Sequence, residues 1–304
     1  MQRLWNRREV LATGIACSAV PTIGFGNEAA AMRTATIPAT GERLPVIGLG
    51  TYSVFDVEST EAEIASRRDI ARLLIAGGGS VVDTSPMYNR SEKVIGDVIK
   101  AGIDRNDMFL ATKVWTDGRD AGIAQMRRSA ELMNTDVVDL MQVHNLRDTG
   151  VHMNTIREWQ EDGRIRYSGI THYTASALEA LEHEMRTYAP QFIQINYSLG
   201  EREAEERIFP LAQELGIAVL VNRPFQAGRL FRAVAGLSLP DFAMDFADSW
   251  GQFFLKFIVS HPAVTCAIPA TSKARHMTDN VGAGFGELPD AFMRQRMSNF
   301  FESL

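Results

Sequence analysis

Asp83 and Tyr88 stand five residues apart in "SVVDTSPMYNRSEKVIGDVI" (80–99), where an apolar run gives way to a Ser85-Pro86 turn and an amphipathic helix. Lys113 closes a second apolar run, "MFLATKV", and His144 closes a third, "VVDLMQVH". Taken one at a time these are a turn cap, a half-buried phenol, a lysine reaching for water and a rim histidine. Taken together they make a proton-transfer device. A free phenol has a pKa near ~10 and is a poor acid at neutral pH. An ammonium beside it favours the phenolate and lowers that pKa. A carboxylate keeps the ammonium charged and in place, and a neutral imidazole holds a substrate oxygen in line with the phenol. Such a group gives a proton to a developing alkoxide or takes one from an alcohol. Protonating an alkoxide is half of carbonyl reduction. No side chain supplies the hydride for the other half, so a nicotinamide cofactor is implied.

The four residues can meet only if their runs end at one rim. From Met32 onward, short apolar runs alternate with helix-period segments. The runs are 46–52, 80–84, 108–114, 137–144, 166–171, 192–196, 217–222 and 264–269. Helices are expected over Arg67–Ala76, Ser91–Lys100, Ala121–Asn134, Asn154–Asp162, Ala175–Thr187, Glu201–Leu215, Asp248–Ser260 and Lys273–Val281. Eight such pairs in about 250 residues predict a closed (β/α)8 TIM barrel, whose chemistry sits at the C-terminal strand ends. An open doubly wound sheet is the rival, but Gly48-Leu49-Gly50-Thr51-Tyr52-Ser53 lacks the third glycine of its dinucleotide fingerprint. Ala39-Thr40-Gly41-Glu42 between extended pieces predicts a hairpin capping the barrel bottom. Asp290–Ser303 predicts a short C-terminal helix. Few residues separate His144 from the next helix, so the loops over the rim are expected to be modest.

The 304 residues carry a net charge of −6, which argues against a nucleic-acid surface. Cys17 and Cys266 are the only cysteines, which excludes a disulfide framework and a zinc cluster. Residues 1–31 read differently from the rest. Arg7-Arg8, Leu11, a weakly apolar segment over 10–25 and Ala29-Ala30-Ala31 resemble a twin-arginine export signal. The apolar part falls short of the ~20 residues that span a bilayer and contains Pro21, so no stable membrane anchor is expected. The expected organisation is therefore a signal segment over 1–31 and a barrel over 32–304. The expected location is the periplasm or another exported site reached through the twin-arginine machinery, or the cytoplasm if the segment is not a signal.

From about Arg33 onward the chain resembles the aldo-keto reductases. The resemblance is carried by "LPVIGLGTY", "VVDTSPMYNRSEKVIGDVI", "FLATKVW", "VDLMQVHN", "GRIRYSGITHYTAS", "FIQINYSL" and "IPATSKARHMTDNV", in the family's order. It implies Asp83, Tyr88, Lys113 and His144 as the catalytic set, with Tyr88 as the acid. It implies that Gly50, Thr51 and Tyr52 lie beside the nicotinamide ribose and that Gln194 meets the carboxamide. Where the family reads Ser-Asn, this chain has Thr171-His172. Where the family has a stacking aromatic and then Ser-Pro-Leu, this chain has Asn222, Arg223, Pro224 and Phe225, with Arg223 placed against the ring or the pyrophosphate. The last segment offers Thr271, Ser272, Lys273 and His276 to a phosphate at a helix N-terminus, and Asp279 and Asn280 to the adenine. The family's lysine after Ile-Pro is Ala270 here, so NADPH is favoured with NADH as the alternative.

Phe55, Trp115, Tyr173 and Phe225 form either an aromatic carbonyl pocket or part of the packing. The substrate expected is a small aldehyde or ketone of unspecified identity, with no metal. Two other classes share these residues: a cofactor-binding regulatory or scaffold protein with little turnover, and a Schiff-base lyase using Lys113.

Overall fold

Strand periodicity accounts for how the barrel is filled. The computed structural model describes residues 31–304; the expected export segment up to Ala30, Cys17 included, lies outside them. A hairpin comes first, β1 (Thr34–Thr36) antiparallel to β2 (Arg43–Pro45). Eight parallel strands follow: β3 (Leu49–Gly50), β4 (Val81–Asp83), β5 (Phe109–Val114), β6 (Val138–His144), β7 (Ile165–Thr171), β8 (Phe192–Asn196), β9 (Ala218–Asn222) and β10 (Cys266–Ala267). They are hydrogen-bonded in sequence order, and the bridges Ile47↔Ala267 and Gly50↔Ala270 bring the last strand back to the first. The expected (β/α)8 barrel with its hairpin is the observed fold.

Alternate residues of a strand face one side. Val81, Phe109, Ala111, Leu140, Tyr167, Phe192, Leu220 and Cys266 pack together inside the barrel, and Ile37 and Leu44 of the hairpin segment join them. Two residues further along several of the same strands stand Asp83, Lys113, Gln142 and Gln194, and four beyond Tyr167 stands Thr171, all buried. An apolar plug thus carries a polar layer on top of it. Cys266 lies inside the plug, where burial pushes its thiol pKa up and leaves it inert.

The outer layer is built from α1 (Glu61–Ala76), α2 (Ser91–Lys100), α3 (Arg119–Leu132), α4 (Thr149–Glu161), α5 (Leu178–Tyr188), α6 (Ile208–Leu215), α7 (Arg229–Ala233), α8 (Trp250–Val259) and α9 (Ala274–Gly282), with α10 (Ala291–Glu302) following. On α2, Val94, Ile95 and Val98 are buried, which anchors the helix that leaves the Tyr88 turn. A side chain on Gly96 would overlap the carbonyl oxygen of Leu132 at the end of α3, so only glycine fits there.

Several expectations need correction, among them α4, which begins at Thr149 rather than Asn154. Helix α1 begins six residues before Arg67, because Thr60 accepts the Glu63 N–H and so caps it there. Glu201–Leu215 is not one helix: a short 3-10 turn over Glu203–Glu205 precedes α6. The break falls at Arg207, φ −134°, and α6 starts only at Ile208, with Pro210 in its first turn where the missing N–H costs nothing. The loops are not all modest either, since β9 and α8 are joined by Arg223–Ser249, which carries α7. No helix among the described residues is long and apolar enough to cross a membrane.

Candidate active site

Asp83 ends β4 with its carboxylate 3% exposed, and both oxygens are used. Oδ2 accepts from Lys113 Nζ at 2.7 Å. Oδ1 accepts from Gln194 Nε2 at 2.7 Å and from Gln142 Nε2 at 3.2 Å. The Asp83 carbonyl is held by the N–H and hydroxyl of Thr51 at 3.0 and 2.9 Å. Lys113 is fully buried on β5 and also donates to the Thr84 carbonyl at 2.7 Å. Burial pulls its ammonium pKa down, but Asp83 and Tyr88 outweigh that and hold it above the ordinary 10.5. The lysine is therefore a permanent cation, which disfavours Schiff-base chemistry.

Tyr88 reaches the same point from a loop. A 3-10 turn over Pro86–Tyr88 is capped by Ser85, whose Oγ accepts the Met87 N–H at 3.2 Å and whose carbonyl accepts the Tyr88 N–H at 2.9 Å. Asn89 ends the turn at φ 52°, in the positive-φ region that Asn tolerates. Lys113 Nζ sits 5.1 Å from the Tyr88 ring centroid. Burial raises the phenol pKa above 10.0, while Lys113 opposes it and Asp83 adds to it. The lysine acts in the expected sense but does not win in the protein alone, so Tyr88 rests protonated.

His144 completes the group from the end of β6. Its ring meets Tyr88 edge-on at 6.0 Å, and its Nδ1 lies 3.0 Å from Ser85 Oγ. Burial, with Lys113 and His172 adding like charge, holds its pKa at about 3, so the imidazole is neutral at any physiological pH. The chain turns sharply after it: Asn145, Leu146 and Asp148 all have positive φ. For Leu146 this is a strained conformation, of the kind that concentrates at functional sites. The four residues that spacing selected meet at one rim.

The residues expected around them divide. Gly50 sits where a Cβ would come within 2.7 Å of the Ile268 carbonyl oxygen, so the close approach requires glycine. Tyr52 is 63% exposed and packs edge-on to Tyr88 at 5.1 Å, lining the mouth. Thr171 donates to Gln194 Oε1 at 3.3 Å, and His172 stacks on half-exposed Tyr173. Trp115 lies 6.3 Å from His144, with its backbone N–H held by Gln125 Oε1. Arg147 covers the Trp115 ring from the solvent side while paired with Asp117. Arg223, at φ 51°, has its guanidinium 5.8 Å from the Tyr173 ring.

Others are packed or already bonded. Phe55 is 1% exposed within the main core, in the packing role that the sequence left open for it. Phe225 packs on Phe231 at 4.9 Å and joins the same core; Pro224 beside it is buried. The amide of Gln194 is occupied at both ends, by Asp83 at Nε2 and by Thr171 and Asn222 at Oε1. Its bonds make it a support for Asp83 before any ligand arrives. Asp279 accepts from Ser249 and Gln252, and so fastens α9 to the start of α8. Thr271 Oγ1 accepts the Lys273 N–H at the entrance to α9, while Ser272, Lys273 and His276 are exposed and Asn280 is buried.

Sequence reasoning passed over two residues. Gln142 stands two residues before His144 on β6, an inward position that period-two counting marks as polar. Ser85 was read only as part of a turn.

The sequence profile of the aldo/keto reductase family matches residues 46–297. An aldo-keto reductase of Mycobacterium sp. (strain JLS) is 29% identical over 197 residues, covering 62% of this chain and 67% of that protein. Methylglyoxal reductase YeaE of Escherichia coli (strain K12) is 28% identical over 258 residues, covering 82% of this chain and 88% of that one. The crystal structure of an aldo/keto reductase from Klebsiella pneumoniae in complex with NADP and acetate superposes with a TM-score of 0.73 at 23% identity, covering 86% of this chain and 93% of that one. At that identity the likeness speaks for the fold.

Proposed function

The chain belongs to the aldo/keto reductase family, and on that premise we propose that it reduces an aldehyde or ketone with NADPH, Tyr88 delivering the proton. The observation that carries the reading is the buried Lys113–Asp83 pair, 2.7 Å apart, with Lys113 Nζ 5.1 Å from the Tyr88 ring centroid. Neutral His144 orients the carbonyl oxygen beside the phenol. As negative charge grows on that oxygen, the protonated phenol of Tyr88 releases its proton to it. The Lys113 ammonium stabilises the phenolate left behind, more strongly than in water because the site is dry. Asp83, fastened by Gln194 and Gln142, keeps the ammonium aimed at Tyr88.

The chain's own residues suit a dinucleotide. Asn196 Oδ1 and Asn222 Oδ1 are buried at adjacent strand ends without partners among the described residues, each with its amide nitrogen already committed. They are acceptors waiting for N–H donors. At the start of α9, Lys273 and Arg275 gather positive charge beside His276, which burial and these two cations keep below its ordinary pKa and which accepts from Arg275 Nε at 3.3 Å; no carboxylate among the described residues forms a salt bridge with the two cations. That cluster suits a phosphate and favours NADPH over NADH. NADPH, when bound, supplies the hydride. The neighbour from Klebsiella pneumoniae was crystallised with NADP, which supports the same choice.

The substrate class is a small carbonyl compound, and the relative named for methylglyoxal makes 2-oxoaldehydes the first to try. The deciding measurement is NADPH oxidation over a carbonyl panel with the wild type and Tyr88→Phe. The variant is expected to bind NADPH normally and lose reduction by at least about 100-fold. Full activity in Tyr88→Phe would refute the role of Tyr88. Tight NADPH binding with no turnover on any carbonyl would favour a scaffold or regulatory role instead.

Export is a further part of the proposal. It rests on Arg7-Arg8, the short apolar segment and Ala29-Ala30-Ala31. A twin-arginine route carries folded proteins, so the cofactor would travel bound at the barrel rim. Fractionation with N-terminal sequencing tests it: a mature chain starting near Met32 outside the cytoplasm is expected, and an intact cytoplasmic chain would refute it.

A further inference from the structure

His144 can hold a carbonyl oxygen only if the nitrogen facing the substrate carries a hydrogen. Ser85 Oγ lies 3.0 Å from His144 Nδ1, with Ser85 fully buried and His144 6% exposed. The same oxygen accepts the Met87 N–H at 3.2 Å. The proton of the Ser85 hydroxyl is closed off from water, and its one acceptor among the described residues is Nδ1. If Nδ1 were the protonated nitrogen, two donors would converge on Ser85 Oγ and the serine's own proton would be buried without a partner. His144 Nε2 has no protein partner among the described residues.

We infer that Ser85 is a positioning residue whose hydroxyl donates to Nδ1, holds His144 as its Nε2–H tautomer, and so presents a donor to the substrate oxygen. The inference rests on the proposed carbonyl reduction for its purpose, though not for its geometry. Ser85 also caps the turn that carries Tyr88. One hydroxyl therefore ties the proton donor to the group that holds the oxygen, and Asp83-Thr84-Ser85 places it directly after the strand that positions Lys113. An alanine here would keep the turn's volume and lose both links.

The test is 15N-histidine NMR of the full chain, with the His144 signals identified by their loss in His144→Asn. The wild type is expected to show Nδ1 unprotonated and Nε2 protonated. Ser85→Ala is expected to shift the ring toward a mixture of tautomers and lower kcat/KM about tenfold, the effect of losing roughly one hydrogen bond. Its NADPH Kd should stay unchanged, which a general loss of structure would not permit. Ser85→Thr, which restores the hydroxyl, should recover the wild-type ring signature. A wild-type ring protonated on Nδ1, or a Ser85→Ala ring identical to wild type, would overturn the inference. If Ser85→Ala does not fold, the wild-type spectrum alone decides. Because the readout is the ring itself, failure of the Tyr88 role would leave the tautomer result standing.

Discussion

Lys113 Nζ and Asp83 Oδ2 lie 2.7 Å apart with their side chains 0% and 3% exposed. Breaking such a pair leaves a charge in a place that cannot hydrate it, which typically costs about 3–5 kcal/mol. Lys113→Met should therefore lose that much in urea unfolding and abolish carbonyl reduction. The double variant Asp83→Leu with Lys113→Met should regain part of the stability and none of the activity. A single Lys113→Met as stable as wild type would show that the pair is not the joint described.

Two histidines make stability sensitive to acid. His144 is held at about 3 and His261 at about 4, both chiefly by burial. In the unfolded chain each takes a proton near its ordinary 6.5. The unfolded state thus binds more protons below that value, and stability falls as pH drops from 6.5 toward 4. The slope is about 1.4 kcal/mol per pH unit for each histidine. Urea titrations at stepped pH should show it, and His144→Asn should remove about one histidine's share. An unchanged slope would contradict the burial of that ring.

The resting state of Tyr88 sets the pH profile of catalysis. Burial holds its pKa above 10.0 despite Lys113, so the acid is fully protonated across the neutral range. Reductive kcat/KM should be flat from pH 6 to about 9 and fall as pH rises through the phenol's pKa. Alcohol oxidation needs the phenolate and should rise over the same interval. A reductive profile that falls already near pH 7 would mean that bound cofactor lowers the phenol far more than Lys113 does.

Gly96 sets how closely α2 approaches α3, and α2 anchors the turn that carries Tyr88. A methyl there meets the Leu132 carbonyl oxygen, a backbone atom that cannot swing aside. Gly96→Ala should cost about 1–3 kcal/mol in urea unfolding, against the small gain that alanine gives in an exposed helix. A more stable variant would show that the two helices separate freely.

Much of this was readable from residue order. Eight apolar runs alternating with helical periods specify the barrel, because a parallel strand buried on both faces has no polar face to display. Strand ends then mark the rim, so Asp83, Lys113 and His144 could be selected before their distances were known, with Tyr88 added from the turn that follows. Counting by two would also have found Gln142, since it shares an inward parity with Leu140 and His144. Other features escaped because they depend on partners far along the chain. Phe55 and Phe225 read equally as pocket or packing aromatics, because an aromatic looks the same in a sequence whether it faces solvent or another ring. Gln194 read as a ligand for the cofactor, and its bonds to Asp83 become visible only when β4 and β8 are brought across the barrel.

Sequence by itself determined which side chains could do the chemistry and at which end of which strands they would stand. Those properties follow from residue type and a local period. Only the tertiary structure decided how they act together: that Lys113 and Asp83 are dry enough to be inseparable, that burial outweighs the lysine in setting Tyr88, and that Ser85 rather than solvent faces Nδ1 of His144. Burial and hydrogen-bond partners belong to the space between strands, and that space exists only once the barrel has closed.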